Sequence, residues 1–205
     1  MVSSIGGGFM FLVLEGIDGA GKTTHAKMLH EYFRSKSQKC VLTDEPTSGT
    51  IGIIIKGFLR QKSGISPTAL QLLFASDRAE HVEKFIVPEL KSGTNIIMDR
   101  YVASTVAYGT ASGLDKEWLI SINSKFRTPD ITLLLDIDPK VSMKRKFPNQ
   151  DESEVELFES VSLLEKVRNT YLELAKVYDN YFIIDASKSK DAVEQAILNK
   201  IEHIL

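Results

Sequence analysis

The sequence predicts an α/β fold in which a five-stranded parallel sheet lies between two layers of helices. Two observations indicate this fold: five short apolar runs recur along the chain, and amphipathic helical patterns separate them. Most of the runs are continuously apolar, which is typical of parallel strands covered on both faces. The intervening helices supply the crossover connections that such a sheet requires. Because the 205 residues contain no repeat or linker, we expect one domain spanning residues 1–205.

The five predicted strands are residues 9–14, 40–43, 96–98, 131–135 and 181–184. The first run is six residues long and is followed at once by Glu15, so it is too short for a membrane span or the core of a signal peptide. We therefore read it as a buried strand and expect no membrane partner.

The predicted helices each place apolar residues three or four positions apart, which gives one buried side. The residues that mark these faces are Ala26, Leu29 and Phe33; Leu70, Phe74, Ala75, Val82 and Phe85; Leu119, Ile122 and Phe126; Leu163, Val167, Leu174 and Tyr178; Ala192, Ala196 and Ile201.

Composition excludes several classes of protein. Hydrophobic residues make up 43% and charged residues 25% of the chain, as in an ordinary soluble globular protein. The net charge of −2 gives no basic surplus that would favour a nucleic-acid partner. The single cysteine, Cys40, cannot form an internal disulfide, so we expect a cytoplasmic protein.

A phosphate-binding loop is the sharpest motif in the sequence. It matches G-x-x-x-x-G-K-[ST] in full, between a predicted strand and a predicted helix, and its residues are Gly16, Ile17, Asp18, Gly19, Ala20, Gly21, Lys22 and Thr23. Glycines allow the backbone amides to approach an anion at the positive end of a helix dipole. Lys22 supplies a charge for the β- and γ-phosphates, and the Thr23 hydroxyl can bind Mg²⁺. The motif therefore predicts a nucleoside triphosphate site.

A second cluster of charged residues follows the third predicted strand. Asp99 ends that strand beside the phosphate loop, where a carboxylate can hold Mg²⁺. Arg100 comes next and suits bidentate binding of a second phosphate. The alternative is that Asp99 caps the following helix and pairs with Arg100.

Two further segments carry weaker signals. Phe74 and Arg78 lie one turn apart on one helix face. Phe74 could stack on a base whose edge Arg78 reads, or Phe74 could be a core ring beside a surface arginine, and spacing alone favours the second interpretation. The polar stretch 140–156 is by itself most simply a solvated surface loop.

Taken together, these segments resemble the thymidylate kinase family of P-loop nucleoside monophosphate kinases over nearly the whole chain. The stretches that carry the resemblance are residues 11–24; Asp44, Glu45 and Pro46; residues 72–78 with His81 and Val82; residues 99–101 with Ser104, Ala107 and Tyr108; Pro129 and Asp130; Leu135, Asp136 and Ile137; and residues 171–175.

The resemblance implies transfer of the γ-phosphate of MgATP to dTMP, which gives dTDP and ADP on the route to dTTP. It implies a P-loop fold with a mobile lid at about residues 140–156, and dimers are common in the family. For this chain we expect a homodimer in which helices such as 67–85 supply the interface.

By the same resemblance, the donor site consists of the loop residues Gly16 to Thr23 together with Thr24, with Thr23 and Asp99 at the metal. Lys22 and Arg100 are the expected catalytic groups. The acceptor site is expected to hold the sugar 3′-hydroxyl at Asp18, the phosphate at Arg100 and the deoxyribose beside Tyr108. Thymine is expected to stack on Phe74, with its edge bound by Arg78 and contacts from Thr105. Glu45 matches an acidic position of the acceptor-side loop.

The lid departs from the family's pattern. Some relatives place an arginine inside the phosphate loop, whereas this chain has Gly19, so the lid must supply the cations. Its candidates are Lys144, Arg145 and Lys146, with Arg145 as the expected catalytic one. The family's Asp-Arg-x-Glu element is matched here only by Glu156–Glu159, with leucine in place of arginine. Gly109 also stands where many relatives have glutamine.

Two other functions are open at this point. The chain could be another nucleoside monophosphate or deoxynucleoside kinase of the same fold, which a comparison of acceptors would reveal. It could instead be a nucleotide-driven switch. A GTP-binding switch normally carries Asn-Lys-x-Asp after a strand, and the similar string here runs from Asn199 to Glu202 in the last predicted helix, which argues against a switch.

Overall fold

A computed structural model describes residues 9–61, 64–146 and 161–204. Its strands are β1 Phe11–Glu15, β2 Cys40–Asp44, β3 Asn95–Asp99, β4 Ile131–Asp136 and β5 Tyr181–Asp185. Its α-helices are α1 Lys22–Ser35, α2 Thr50–Gln61, α3 Pro67–His81, α4 Val87–Lys91, α5 Val102–Ala111, α6 Lys116–Asn123, α7 Pro139–Lys146, α8 Val161–Val177 and α9 Lys190–Ile204. A π-helical turn, Val82–Ile86, joins α3 to α4.

The strands form one parallel sheet in the order β2-β3-β1-β4-β5, which confirms the predicted fold class. The central strand β1 is buried along its whole length between β3 and β4. Because parallel strands end at the same edge of a sheet, the segments that follow β1, β3 and β4 meet there. All of the candidate phosphate-binding residues belong to that edge.

Alternate residues of β1 contribute to two cores, one on each face of the sheet. Leu12 and Leu14 belong to the larger cluster, together with the apolar faces of α1, α8 and α9. Phe11 and Val13 belong to the smaller one, which includes Val82 and Ile86 of the π-helical turn. The prediction that strands are covered on both faces is confirmed for β1, β3 and β4.

The same prediction is wrong for the two edge strands. Residues of β2 are half-buried or exposed, and Ile183 of β5 is 52% exposed. Apolar composition identifies these segments as strands, but it does not state which strands end the sheet.

The segment from α3 to α4 shows why one long amphipathic pattern became three elements. Pro88 has no backbone N–H, so a regular α-helix cannot form the bond that residue 88 would donate to residue 84. The wider π-helical turn accommodates this interruption, and the chain remains helical on both sides of it. The predicted helix therefore extends to Lys91.

Among the described segments, no helix has both the length and the apolarity that crossing a bilayer requires.

Candidate active site

The phosphate-binding loop connects β1 to α1 and is tightly packed against two neighbouring segments. Gly16, Gly19 and Gly21 have positive φ angles of 144°, 77° and 93°. A Cβ at Gly16 would lie 2.6 Å from the Leu135 carbonyl oxygen, and one at Gly19 would lie 2.7 Å from the Ser142 carbonyl oxygen. Only glycine satisfies both the backbone conformation and the available space at these positions. The loop is therefore shaped by packing as well as by its ligand chemistry.

Lys22 is folded into this loop. Its side chain is 6% exposed, and its Nζ donates to the Ile17 carbonyl oxygen at 2.9 Å. Burial lowers the pKa of Lys22 to about 7, and the Arg100 charge acts in the same direction, against the carboxylates of Asp18, Asp99 and Glu15. A polyphosphate bound here would restore the ammonium form. The positive charges of Lys22 and Arg100 therefore favour the binding of an anion at this loop.

Thr23 and Asp99 bring α1 and β3 together. The Thr23 hydroxyl donates to Asp99 Oδ2 at 2.5 Å. Asp99 Oδ1 is buried and has no hydrogen-bond partner among the described residues. The alternative interpretation of Asp99 is wrong, because the N–H groups of Tyr101 and Ser104 at the start of α5 donate to Glu15 rather than to Asp99, and Arg100 pairs with Asp18. A carboxylate oxygen beside a hydroxyl suits a hard divalent cation.

Arg100 follows β3 in a left-handed conformation with φ 70°. Its guanidinium forms an ion pair with Asp18 and donates to the Gly16 carbonyl oxygen at 3.3 Å. It also lies over the ring of Tyr108, 5.2 Å from the centroid. Arg100 and Lys22 therefore contact the same loop, which places two cations where two phosphate groups can approach each other.

Asp18 joins Arg100 to the end of α7. One carboxylate oxygen pairs with Arg100, and the other accepts a hydrogen bond from Lys146 Nζ at 3.0 Å. Although burial raises the pKa of Asp18, the charges of Arg100, Lys22 and Lys146 outweigh that effect and hold it well below its usual range. The carboxylate is therefore ionised at neutral pH.

Arg78 belongs to α3 and is 1% exposed. Its Nη2 forms an ion pair with Glu45 at 2.8 Å and donates to the Thr105 hydroxyl at 3.1 Å. Its Nη1 donates to Asn123 Oδ1, and its Nε has no partner among the described residues. The guanidinium is therefore held by acceptors from three segments: Glu45 after β2, Thr105 of α5 and Asn123 of α6.

Phe74 is half-buried on the same helix, and neither core cluster of the described residues includes it. The interpretation of a core ring beside a surface arginine is therefore wrong. The face of α3 that turns inward carries polar residues: Gln71, Asp77, Arg78 and His81 are its buried members. Phe74 remains accessible enough to offer a ring to a ligand.

The lid candidates end the described part of this region. Lys144, Arg145 and Lys146 belong to the last turn of α7, so residues 139–146 are helical and do not form the surface loop that composition suggests. Arg145 donates to the carbonyl oxygens of Ala186, Ser187 and Lys188, after β5, whereas Lys146 contacts the phosphate loop. The rest of the predicted lid, 147–156, and the Glu156–Glu159 string lie outside the described residues.

Comparisons with known proteins agree with this geometry. A family model described as thymidylate kinase matches residues 14–197. A probable thymidylate kinase of Thermococcus kodakarensis is 45% identical over 205 residues, which cover 96% of this chain and 98% of the relative. Probable thymidylate kinases of Pyrococcus horikoshii and Methanocaldococcus jannaschii are 42% and 38% identical, each with 95% of this chain and 97% of the relative covered.

The chain belongs to the thymidylate kinase family. It is therefore a phosphotransferase that acts on nucleoside monophosphates. This membership excludes the alternative of a nucleotide-driven switch. The string from Asn199 to Glu202, which already argued against a switch, lies within α9 and has a structural role. Within α9, Lys200 Nζ lies 4.1 Å from the ring centroid of Phe182, and Glu202 accepts a hydrogen bond from the Tyr32 hydroxyl at 3.0 Å.

Membership of the thymidylate kinase family did not by itself identify every polar residue at the site. Asn123, which contacts Arg78, follows the apolar marker Ile122 directly and offers no sequence signal of its own. Asp77 accepts hydrogen bonds from the backbone and hydroxyl of Thr47 at 2.7 and 2.6 Å and so fixes the loop that carries Glu45. Its position beside Arg78 in a polar pair is the signal that could have revealed it.

Proposed function

We propose that the protein transfers the γ-phosphate of ATP to dTMP and so produces ADP and dTDP for dTTP synthesis. One observation carries the proposal: Lys22 and Arg100 both contact the carbonyl oxygens of a single phosphate loop, and the Asp18 carboxylate of that loop joins Arg100 to Lys146 at the end of α7. Two nucleotides whose phosphates meet at this loop would each find a cation. The membership of the chain in the thymidylate kinase family supports thymine as the acceptor base.

In this proposal the donor phosphates bind to the loop amides, with Lys22 at the β- and γ-phosphates and Thr24 beside them. The start of α1 supports this assignment, since its N-cap is Gly21 and no described side chain caps its first amides.

Thr23 and Asp99 would hold Mg²⁺, and the buried free oxygen Asp99 Oδ1 is what supports that assignment. When bound, Mg²⁺ would supply positive charge that offsets the negative charge developing on the phosphate groups.

Replacing Asp99 with asparagine is expected to raise the Mg²⁺ concentration for half-maximal activity by about tenfold. The amide keeps the shape of the side chain but lowers the charge at the proposed ligand. Activity titrated with Mg²⁺ at fixed ATP measures the change. Asp136→Asn is a matched control, because that carboxylate ends strand β4, on the other side of β1 from β3, and forms an ion pair with Arg168 at 2.6 Å. Equal Mg²⁺ dependence in the two variants would contradict the assignment.

The acceptor would lie on the other side of the loop, with its phosphate at Arg100 and its sugar at Asp18 and Tyr108. Tyr108 is held against Arg100 by the ring contact, so a 2′-hydroxyl would meet a fixed aromatic side chain. The thymine ring would stack on Phe74, with Arg78 and Thr105 at its polar edge and Glu45 fixing Arg78.

Phosphoryl transfer in this arrangement needs no strong general base, because the attacking group is already an anionic phosphate oxygen. Lys22 and Arg100 hold the reacting groups in line and stabilise the charge that spreads over the transferred phosphoryl group. The lid cations would add to this field, and Lys146 is the nearest to the loop. Arg145 acts in the proposal only after it leaves the carbonyls of residues 186–188.

A homodimer and a cytoplasmic location are also part of the proposal. The dimer is supported by apolar side chains that α2 and α3 expose to solvent, of which Ile53 is 61% and Leu72 46% exposed. The location is supported by the single free cysteine, Cys40, which has no second cysteine in the chain with which to form an internal disulfide. Light scattering on the purified protein measures the oligomeric state.

An acceptor screen tests the proposed substrate. With MgATP as donor, turnover of dTMP is expected to exceed that of dCMP and dAMP by about 100-fold, because a fixed polar edge penalises a base that leaves its groups unpaired. We expect dUMP to be intermediate, since it lacks only a methyl group. A coupled assay for ADP with each monophosphate gives the ratios. Comparable rates on all four acceptors would instead indicate a broader nucleoside monophosphate kinase of the same fold.

A further inference from the structure

Glu15 is a carboxylate buried in the protein core. It is the last residue of β1 and is 0% exposed. A buried carboxylate is tolerated only where donors replace its water. Here Oε1 accepts hydrogen bonds from the backbone N–H groups of Tyr101 and Ser104 at 2.8 and 3.2 Å. Oε2 accepts from the hydroxyls of Ser104 and Tyr171 at 2.6 and 3.1 Å.

The two hydroxyls that Glu15 binds also face Arg100. Arg100 Nη1 donates to Ser104 Oγ at 3.1 Å and to the Tyr171 hydroxyl at 3.5 Å. The hydroxyls lie 2.8 Å from each other, and each has a single hydrogen: Ser104 donates to Glu15, and Tyr171 donates to Glu15 or to Ser104 Oγ. Burial, reinforced by the charge of Glu15, raises the pKa of Tyr171 well above its ordinary value and keeps its hydroxyl protonated.

The direction of these hydrogens matters, because a guanidinium has no acceptor. Each hydroxyl must present a lone pair to Arg100 and send its hydrogen elsewhere. Glu15 provides the acceptor that permits this. An amide in its place would keep its oxygen towards the two backbone N–H groups and turn its NH₂ towards the hydroxyls, which would direct their hydrogens at Arg100.

Glu15 also fixes the backbone next to Arg100. Both N–H groups bound by its Oε1 belong to the four residues that follow Arg100, whose φ of 70° is unusual for a residue with a side chain. Such a conformation persists only where neighbouring contacts determine it. The carboxylate thus acts on Arg100 through the main chain and through the two hydroxyls.

We propose that Glu15, through Ser104 and Tyr171, is a positioning residue that holds the Arg100 guanidinium ready for the phosphate of the acceptor nucleotide. This inference rests on the role of Arg100 under the proposed function. It assigns no contact with substrate to Glu15, Ser104 or Tyr171.

The test is a comparison of KM values for the two substrates in the full-length protein. Tyr171→Phe and Ser104→Ala are each expected to raise the KM for dTMP about tenfold while the KM for ATP stays within twofold. Glu15→Gln is expected to have the larger effect in the same direction. Tyr32→Phe is the matched control, because it removes a hydroxyl bond to a carboxylate, Glu202, remote from the site, and both KM values should stay unchanged.

A double-variant cycle separates positioning from direct contact. In an Arg100→Ala background, Tyr171→Phe is expected to have no further effect on the KM for dTMP, since its role passes through Arg100. A further tenfold rise in the KM for dTMP in that background would overturn the inference. Parental KM values in both Tyr171→Phe and Ser104→Ala would overturn it as well. If Arg100→Ala itself leaves the KM for dTMP unchanged, the proposed role of Arg100 fails instead. Thermal unfolding of each variant confirms that the folded protein is compared.

Discussion

The Lys22→Ala variant is expected to lose about 10²–10³-fold in turnover at saturating substrates, as for the removal of a single charge-stabilising donor. Lys22 is the buried cation of the phosphate loop, and its Nζ lies 2.9 Å from a loop carbonyl that a bound phosphate oxygen would replace. Because burial lowers the pKa of Lys22 to about 7, its charge adds little to the stability of the free protein. The same charge would strongly stabilise bound nucleotide phosphates. A coupled ADP assay at saturating dTMP and ATP measures the loss.

The same variant should retain its stability. A desolvated amine with a depressed pKa contributes little to folding, so the melting temperature is expected to stay within a few degrees of the parental value. Lys27→Ala is the matched control, an exposed lysine on the same helix, and should turn over normally. Normal turnover by the Lys22 variant would remove the phosphate loop from the mechanism.

Much of the fold could be predicted because its signals are local. Continuous apolar runs such as that of β1 identify buried parallel strands, and the strand-loop-helix context of the phosphate loop is contiguous in the chain. The order of the strands is not a local property. Nothing in the composition of β2 or β5 shows that they end the sheet, so their partial exposure was not predictable.

The orientation of α3 illustrates a second limit. Helical spacing correctly predicts that Phe74 and Arg78 share a side of the helix, but it does not predict which residues that side buries. The outcome depends on partners distant in sequence: Glu45 and Asn123 both bind Arg78 and make its burial possible. A buried arginine therefore becomes predictable only once its acceptors can be placed.

The lid region shows a third limit, the direction of neighbouring basic side chains. Three consecutive basic residues end α7, and a resemblance to relatives could not separate their roles. Successive residues on a helix point about 100° apart, so Arg145 turns to the segment after β5 while Lys146 turns to Asp18. The resemblance named all three as lid candidates, with Arg145 as the expected catalytic one, whereas the direction of each side chain depends on the position of the helix axis.

The Phe74→Ala variant is expected to raise the KM for dTMP by roughly 10- to 100-fold, which corresponds to the loss of one base-stacking contact. The KM for ATP should not change, because Phe74 lies on α3, whereas the proposed donor phosphates bind at the loop that leads into α1. Stability should fall little, since Phe74 is half-buried and neither core cluster of the described residues includes it. Steady-state kinetics with each substrate varied in turn, together with thermal unfolding, measure all three quantities.

Phe33→Ala gives the opposite profile and so serves as the control. Phe33 is 1% exposed in the larger core, and its loss should lower the free energy of unfolding by about 3–5 kcal/mol. The fraction that stays folded should keep its KM for dTMP, since Phe33 lies away from the acceptor side. If Phe74→Ala instead destabilises the protein as strongly as Phe33→Ala and leaves the KM for dTMP unchanged, then Phe74 is packing and the acceptor base stacks elsewhere.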